Sequence, residues 1–184
     1  MRCFVAVDLP NELKTQVINI QKQLAGIGDV KLVEPENLHF TLKFLGEITE
    51  QQTEKVKAIL ANVSSSFTPF QINMRNLGAF PSLNYIRVLW IGAPLLYSLQ
   101  KTIDDSLSNE FLKEKEITPH LTLARVKSAA GKEKLADFIK INESIEIGSM
   151  VVDKIKLKKS ALTPSGPIYE DIAVLELGKN EMLK

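Results

Sequence analysis

Two short stretches carry residue types that could do chemistry. "NLHFTLKFLGE", residues 37–47, sets His39 in an apolar run with Thr41 two positions on. "TPHLTLARV", residues 118–126, repeats the arrangement with His120 and Thr122, and the chain has only these 2 histidines. In an extended strand side chains alternate between faces, so each His–Thr pair points one way, roughly 6–7 Å apart. Phe40 and Leu42, or Leu121 and Leu123, then point into the opposite layer. Two such strands about an axis offer two imidazoles and two hydroxyls to one space. An imidazole titrates near neutral pH and can give or take a proton. Two flanking one phosphorus can act as general base and general acid in an in-line displacement. The hydroxyls can donate to the non-bridging oxygens, where transition-state charge gathers.

The competing explanation is packing. A lone histidine in an apolar strand is more often a satisfied core residue than a catalyst. With 9 threonines in 184 positions, composition alone gives both histidines a threonine at i+2 about once in four hundred. Duplication without function could preserve the pair, yet nothing structural requires histidine at both equivalent positions. A metal site is weaker still: two histidines and one distant cysteine, Cys3, make a poor zinc set. No metal and no cofactor is expected.

The elements that must position these residues follow a rhythm. "RCFVAVDL" reads as a buried strand bounded by Pro10, and residues 11–26 place Leu13, Val17, Ile20 and Leu24 at helical spacing. "VKLV" is short and extended, "EPEN" a turn, and the His39 strand follows. Thr49-Glu50-Gln51-Gln52 is a capping box opening a helix with Val56, Ile59, Leu60 and Val63 on its apolar face. "FQINMRNLGAF" and "YIRVLWIG" read as strands, residues 95–112 as a helix, then the His120 strand, then a helix over 131–141. "SIEIGSMVVDKIKLKKSAL" and "YEDIAVLELG" close the chain as strands.

Laid side by side, the two halves match. After each histidine come a helix, a strand, a Pro-Ser, a Tyr and an apolar strand; Pro81 lies 42 residues after His39 and Pro164 lies 44 after His120. An internal duplication offset by 81 residues is the reading. The expected architecture is α+β: two pseudo-symmetric lobes, antiparallel-rich sheets facing a central cleft, helices outside, all within one domain over residues 1–184.

Composition bounds the partners. The net charge is +1, with 45% apolar and 24% charged residues, so no global basic field exists to hold long duplexes. A single cysteine allows no intrachain disulfide and suits a reducing compartment. The opening "MRCFVAVDLP" is cut by Asp8 and Pro10, too short for a signal-peptide core, and no stretch approaches membrane-spanning length. A cytoplasmic protein with no membrane partner, a monomer, is expected.

"HFTL" and "HLTL" resemble the paired H-x-T-x motifs of the two-histidine phosphoesterase superfamily. "MRCFVAVDLP", "HFTLKFLGE", "TPHLTLARV" and "LTPSGPIYE" are similar, in order and spacing, to segments of its RNA 2′,3′-cyclic phosphodiesterase branch, historically called 2′-5′ RNA ligase. The resemblance implies metal-independent hydrolysis of RNA 2′,3′-cyclic phosphates to 2′-phosphomonoesters, with His39 the proton donor and His120 the proton acceptor. RNA ends carrying the cyclic phosphate, tRNA fragments among them, or nucleotides are the partners it implies. Two alternatives stand beside this: ligation by the reverse reaction, and a catalytically idle RNA- or nucleotide-binding module on the same scaffold.

Four further residues are candidates for substrate binding. Lys43 keeps the parity of His39 and could face the cleft as a phosphate contact; Arg125 has the opposite parity and needs a bulge or a strand end to reach in. Either could equally be a solvated strand-end charge. Phe44 could stack on a nucleobase, a role the resemblance supports, though an aromatic in "LKFLG" is more often core. Tyr169 could line the cleft, or its hydroxyl could cap a strand end. In "DKIKLKKS", Lys154, Lys156 and Lys158 alternate on one face, with Lys159 beside them. They could form an RNA-backbone track, a solvated strand face, or a lysine-guarded edge strand.

Overall fold

The sheet grows outward in both directions from the His120 strand and its His39 counterpart, which meet at its centre. The computed structural model describes residues 1–164 and 166–179. In chain order the elements are β1 (Arg2–Asp8), α1 (Asn11–Ile27), β2 (Val30–Leu32), β3 (His39–Glu47), α2 (Glu50–Ser66), β4 (Phe70–Ser82), β5 (Tyr85–Gly92) and α3 (Tyr97–Ser106). Then follow β6 (His120–Val126), α4 (Lys132–Ile141), β7 (Glu146–Val152), β8 (Lys154–Thr163) and β9 (Gly166–Glu176). The strands form one antiparallel sheet in the order β7-β4-β5-β6-β3-β1-β8-β9, with β2 added to β6. At its centre β3 and β6 are paired through a single residue pair, Phe40 opposite Leu121. That narrow seam divides the sheet into two halves, β3-β1-β8-β9 built on the His39 strand and β6-β5-β4-β7, with β2, built on the His120 strand.

Local sequence explains the elements. β1 is buried on both faces, which its unbroken apolar run permits. Thr49 caps α2 with the reciprocal box its sequence announces: Gln52 N–H donates to Thr49 Oγ1 at 3.2 Å and Thr49 N–H donates to Gln52 Oε1 at 3.0 Å. The helices change sides: α1 and α4 pack on the β6 half, whereas α2 and α3 pack on the β3 half.

Three expectations are corrected. The helix expected over 95–112 is a 3-10 turn at Pro94–Leu96 and a shorter α3 ending at Ser106. There Ser108 Oγ donates to the Asp105 carbonyl at 2.7 Å, a local bond that competes with helix continuation. "SIEIGSMVVDKIKLKKSAL" is two strands, not one: β7 edges β4 and β8 joins β1 on the other half, the chain crossing at Asp153. The linear repeat is also only partly the spatial one. β4 and β8 are equivalent, each third from the seam, but β5 lies inward against β6 while β9 lies outward at the sheet edge. β1 takes the position beside β3 that β5 takes beside β6. Ser165, which completes the second Pro-Ser, lies outside the described residues.

Candidate active site

Each histidine opens its strand, where the carbonyl two residues back is in reach of the ring. His39 Nδ1 lies 2.6 Å from the Asn37 carbonyl, and His120 Nδ1 lies 2.6 Å from the Thr118 carbonyl. A carbonyl only accepts, so both rings carry the proton on Nδ1 and donate it two residues back. Nε2 is left as the position that exchanges protons. His39 Nε2 lies 3.0 Å from Thr41 Oγ1, the i+2 hydroxyl on the same face. Burial lowers the pKa of both imidazoles. Around His39, Lys158 lowers it further while Asp8 opposes; around His120 the charge that acts is Arg125, which lowers it.

Past the threonines both strands bulge at the same point. Leu42 of β3 has no residue opposite it in β1, and Leu123 of β6 has none opposite it in β5. Two consecutive residues therefore turn inward: Leu42 and Lys43 in one strand, Leu123 and Ala124 in the other, all at most 2% exposed. The next residue, five after the histidine, returns to the cleft: Phe44 in β3 and Arg125 in β6. The β6 bulge is backed by Gln21 of α1, whose Nε2 donates to the carbonyls of Leu123 and Val33, both at 2.8 Å.

The cleft has two depressions. The first, of about 340 Å³, is lined by His39, Thr41, Phe44, Thr122, Arg125 and Tyr169, among others. The second is lined by His120, and shares Thr41 and Phe44 with the first. The rings are braced differently. Phe4 and Tyr169 pack on His39 with centroids at 5.0 and 5.3 Å, and Phe80 and Trp90 on His120 at 4.9 and 6.1 Å. Burial raises the Tyr169 pKa, keeping the phenol neutral beside His39. Among the described residues no three His, Cys, Asp or Glu side chains gather as a metal-binding group.

This geometry has relatives. The profile of LigT-like phosphoesterases matches residues 7–90 and 92–169. An RNA 2′,3′-cyclic phosphodiesterase of Methanocaldococcus jannaschii is 48% identical over 94% of this chain and 98% of its own. One from Methanothermobacter thermautotrophicus is 42% identical over 96% and 99%. Among solved structures, a Thermus thermophilus protein superposes with TM-score 0.82 at 27% identity, covering 97% and 98% of the two chains. Escherichia coli LigT in complex with 3′-AMP superposes at 0.77, with 22% identity and the same coverage, a likeness of fold. The chain belongs to the LigT-like phosphoesterase family.

Within this family member, the sequence candidates divide. His39, Thr41, His120, Thr122, Phe44, Arg125 and Tyr169 all line the cleft. Lys43 is corrected: the bulge reverses its parity, its side chain is 1% exposed, and Nζ donates to Asp104 Oδ1 and the Leu112 carbonyl, both at 2.5 Å. Asp104 also accepts from the Glu114 N–H at 3.1 Å, so this buried pair fastens the segment that leads to Thr118 and His120. The lysine track is corrected too. Lys156 and Lys158 are both clamped between Asp8 and Asp171 at 2.5–2.9 Å, and burial of both aspartates is outweighed by these lysines, which keep the carboxyl pKa values low. Sequence reasoning missed Phe4, Phe80, Trp90, Asp8 and Gln21. A glutamine on the apolar face of α1 was the one readable signal among them.

Proposed function

We propose that the chain hydrolyses the 2′,3′-cyclic phosphodiester at RNA ends to a 2′-phosphomonoester, with His39 as proton donor and His120 as proton acceptor. As a LigT-like phosphoesterase it is a hydrolase of phosphoric diesters. One observation carries the reading of mechanism: both imidazoles are held at Nδ1 by a carbonyl at 2.6 Å, so both present Nε2 for transfer. Water attacks phosphorus opposite the 3′-oxygen and loses its proton to His120 Nε2. The P–O3′ bond breaks as His39 Nε2–H protonates the departing oxygen. Solvent exchange then returns both rings to their starting states. Arg125 favours neutral His120, as an acceptor needs; at His39 the Asn37 carbonyl and Asp8 favour the charged ring that a donor needs, against burial and Lys158, which leave its pKa lowered. Thr41, Thr122 and Arg125 are available to the non-bridging oxygens. Neither role calls on a metal.

The test is a 2′,3′-cyclic-phosphate oligonucleotide incubated with the protein in EDTA, with the product phosphate located. A 2′-phosphate is expected. A 3′-phosphate would mean that the other oxygen leaves, activity restored only by a divalent ion would overturn the metal-free mechanism, and no turnover would leave an RNA-binding module.

A further inference from the structure

The depression beside His120 differs in chemistry from the one beside His39. The first gathers the cations Arg2, Lys31 and Arg125 against one carboxylate, Glu34. The second, of about 240 Å³, sets Gln100, Glu114 and Glu116 among the aromatic rings of Phe44 and Phe80. Its one lysine, Lys43, is already bound to Asp104 and the Leu112 carbonyl, and lies 3.7 Å from one oxygen of Glu114. Gln100 is 7% exposed, and its side-chain oxygen has no hydrogen-bond partner among the described residues. A buried amide oxygen left unpaired is costly to the fold and is a position for a ligand donor.

Away from His120, Thr41 and Thr118, the polar groups here are acceptors: two carboxylates and an orphan carbonyl. That end of the depression disfavours a phosphate. A flat ring that offers N–H groups at its edge and apolar faces to Phe44 and Phe80 fits both features. We infer that this second depression takes the terminal nucleobase of the RNA end by its N–H edge, an inference that rests on the proposed function. Guanine, with a ring N–H beside an amino group, matches a carboxylate at two points and ranks first. Adenine and cytosine, each with an amino group, follow. Uracil, with two carbonyls and one N–H, ranks last. The cationic depression then faces the phosphates of the preceding nucleotides.

Binding of the four nucleoside 2′-monophosphates, measured by titration calorimetry, tests this without turnover. Guanosine 2′-monophosphate is expected to bind about tenfold more tightly than the uridine compound, the scale of a charge-assisted bond at a partly exposed carboxylate. In the Glu114→Gln/Glu116→Gln variant that ratio should fall below about threefold while uridine 2′-monophosphate still binds, which also reports an intact fold. Equal affinities in the wild type, or a preference that survives in the variant, would overturn the inference. Turnover of the four 2′,3′-cyclic nucleotides separates it from the reading beneath. Equal kcat/KM on all four keeps the phosphodiesterase and removes the base site; the predicted binding order with no hydrolysis keeps the base site and removes the phosphodiesterase.

Discussion

The two histidine strands share a backbone and differ in what surrounds it. Both begin with a ring held by the carbonyl two residues back, carry a threonine at i+2, bulge at i+3 and return to the cleft at i+5. Around His39 the neighbouring strands supply charge: Asp8, Lys156, Lys158 and Asp171 in one ion-pair network. At the matching register around His120 stand Gly92, Gly78 and Phe80, with Trp90 filling the space. Gly78 is required there, since a Cβ would come within 2.3 Å of the Trp90 ring. Both rings pack against two aromatic side chains, but charges of both signs, Lys158 and Asp8, act on His39, whereas the charge that acts on His120 is Arg125 alone. A symmetric scaffold can thus host an asymmetric proton transfer, because the pKa of each ring answers to its own neighbours.

The sharpest way to break this comparison is to remove each ring. His39→Ala and His120→Ala should each lower turnover of a cyclic nucleotide about 10²–10⁴-fold. With a nitrophenyl phosphodiester, whose leaving group needs no proton, His39→Ala should recover much of its rate and His120→Ala should not. The reverse pattern would exchange the two roles.

The second contrast is at i+4, where Lys43 stands in one strand and Ala124 in the other. Lys43→Met leaves Asp104 buried without its cation and should destabilise the fold by about 3–5 kcal/mol in denaturant melts. Lys43→Met/Asp104→Leu should recover most of that loss. A stable single variant with weakened phosphate binding would return Lys43 to the cleft.

The hydroxyls should matter less. Thr41→Val and Thr122→Val should each cost about 1–3 kcal/mol in kcat/KM, the scale of one transition-state hydrogen bond, with little change in melting temperature. A large fall in melting temperature at constant rate per folded molecule would make them packing residues.

The smallest effects read the surroundings. Burial lowers both imidazole pKa values from 6.5, so the bell-shaped kcat/KM profile should have its maximum below that pH. The acid limb follows the acceptor, which must be neutral, and the alkaline limb follows the donor, which must be charged. Removing a cation raises the pKa of the ring it faces. Lys158→Met should therefore shift the alkaline limb upward, and Arg125→Met the acid limb. Shifts in the opposite limbs would reverse the assignment of His39 and His120.

Much of this was written in local sequence. The capping box at Thr49, the buried run of β1, and the His–Thr alternation of β3 and β6 follow from side-chain chemistry and strand period, which act within a few residues. The same period misplaced Lys43. A bulge is set by the register of the neighbouring strand, and one extra residue reverses every parity after it. That also explains how Arg125, whose parity points away, comes to line the cleft. The lysines of β8 met the same limit: their alternation was visible, but the partners that hold them stand on neighbouring strands, Asp171 on the next one and Asp8 on β1 near the start of the chain. The repeat showed that two halves exist, and only the sheet decided that β1 rather than β9 lies beside β3. Sequence by itself determined which groups could move a proton. Tertiary structure decided which of them share a cleft and what charge each one faces, because burial and Coulomb forces act through space.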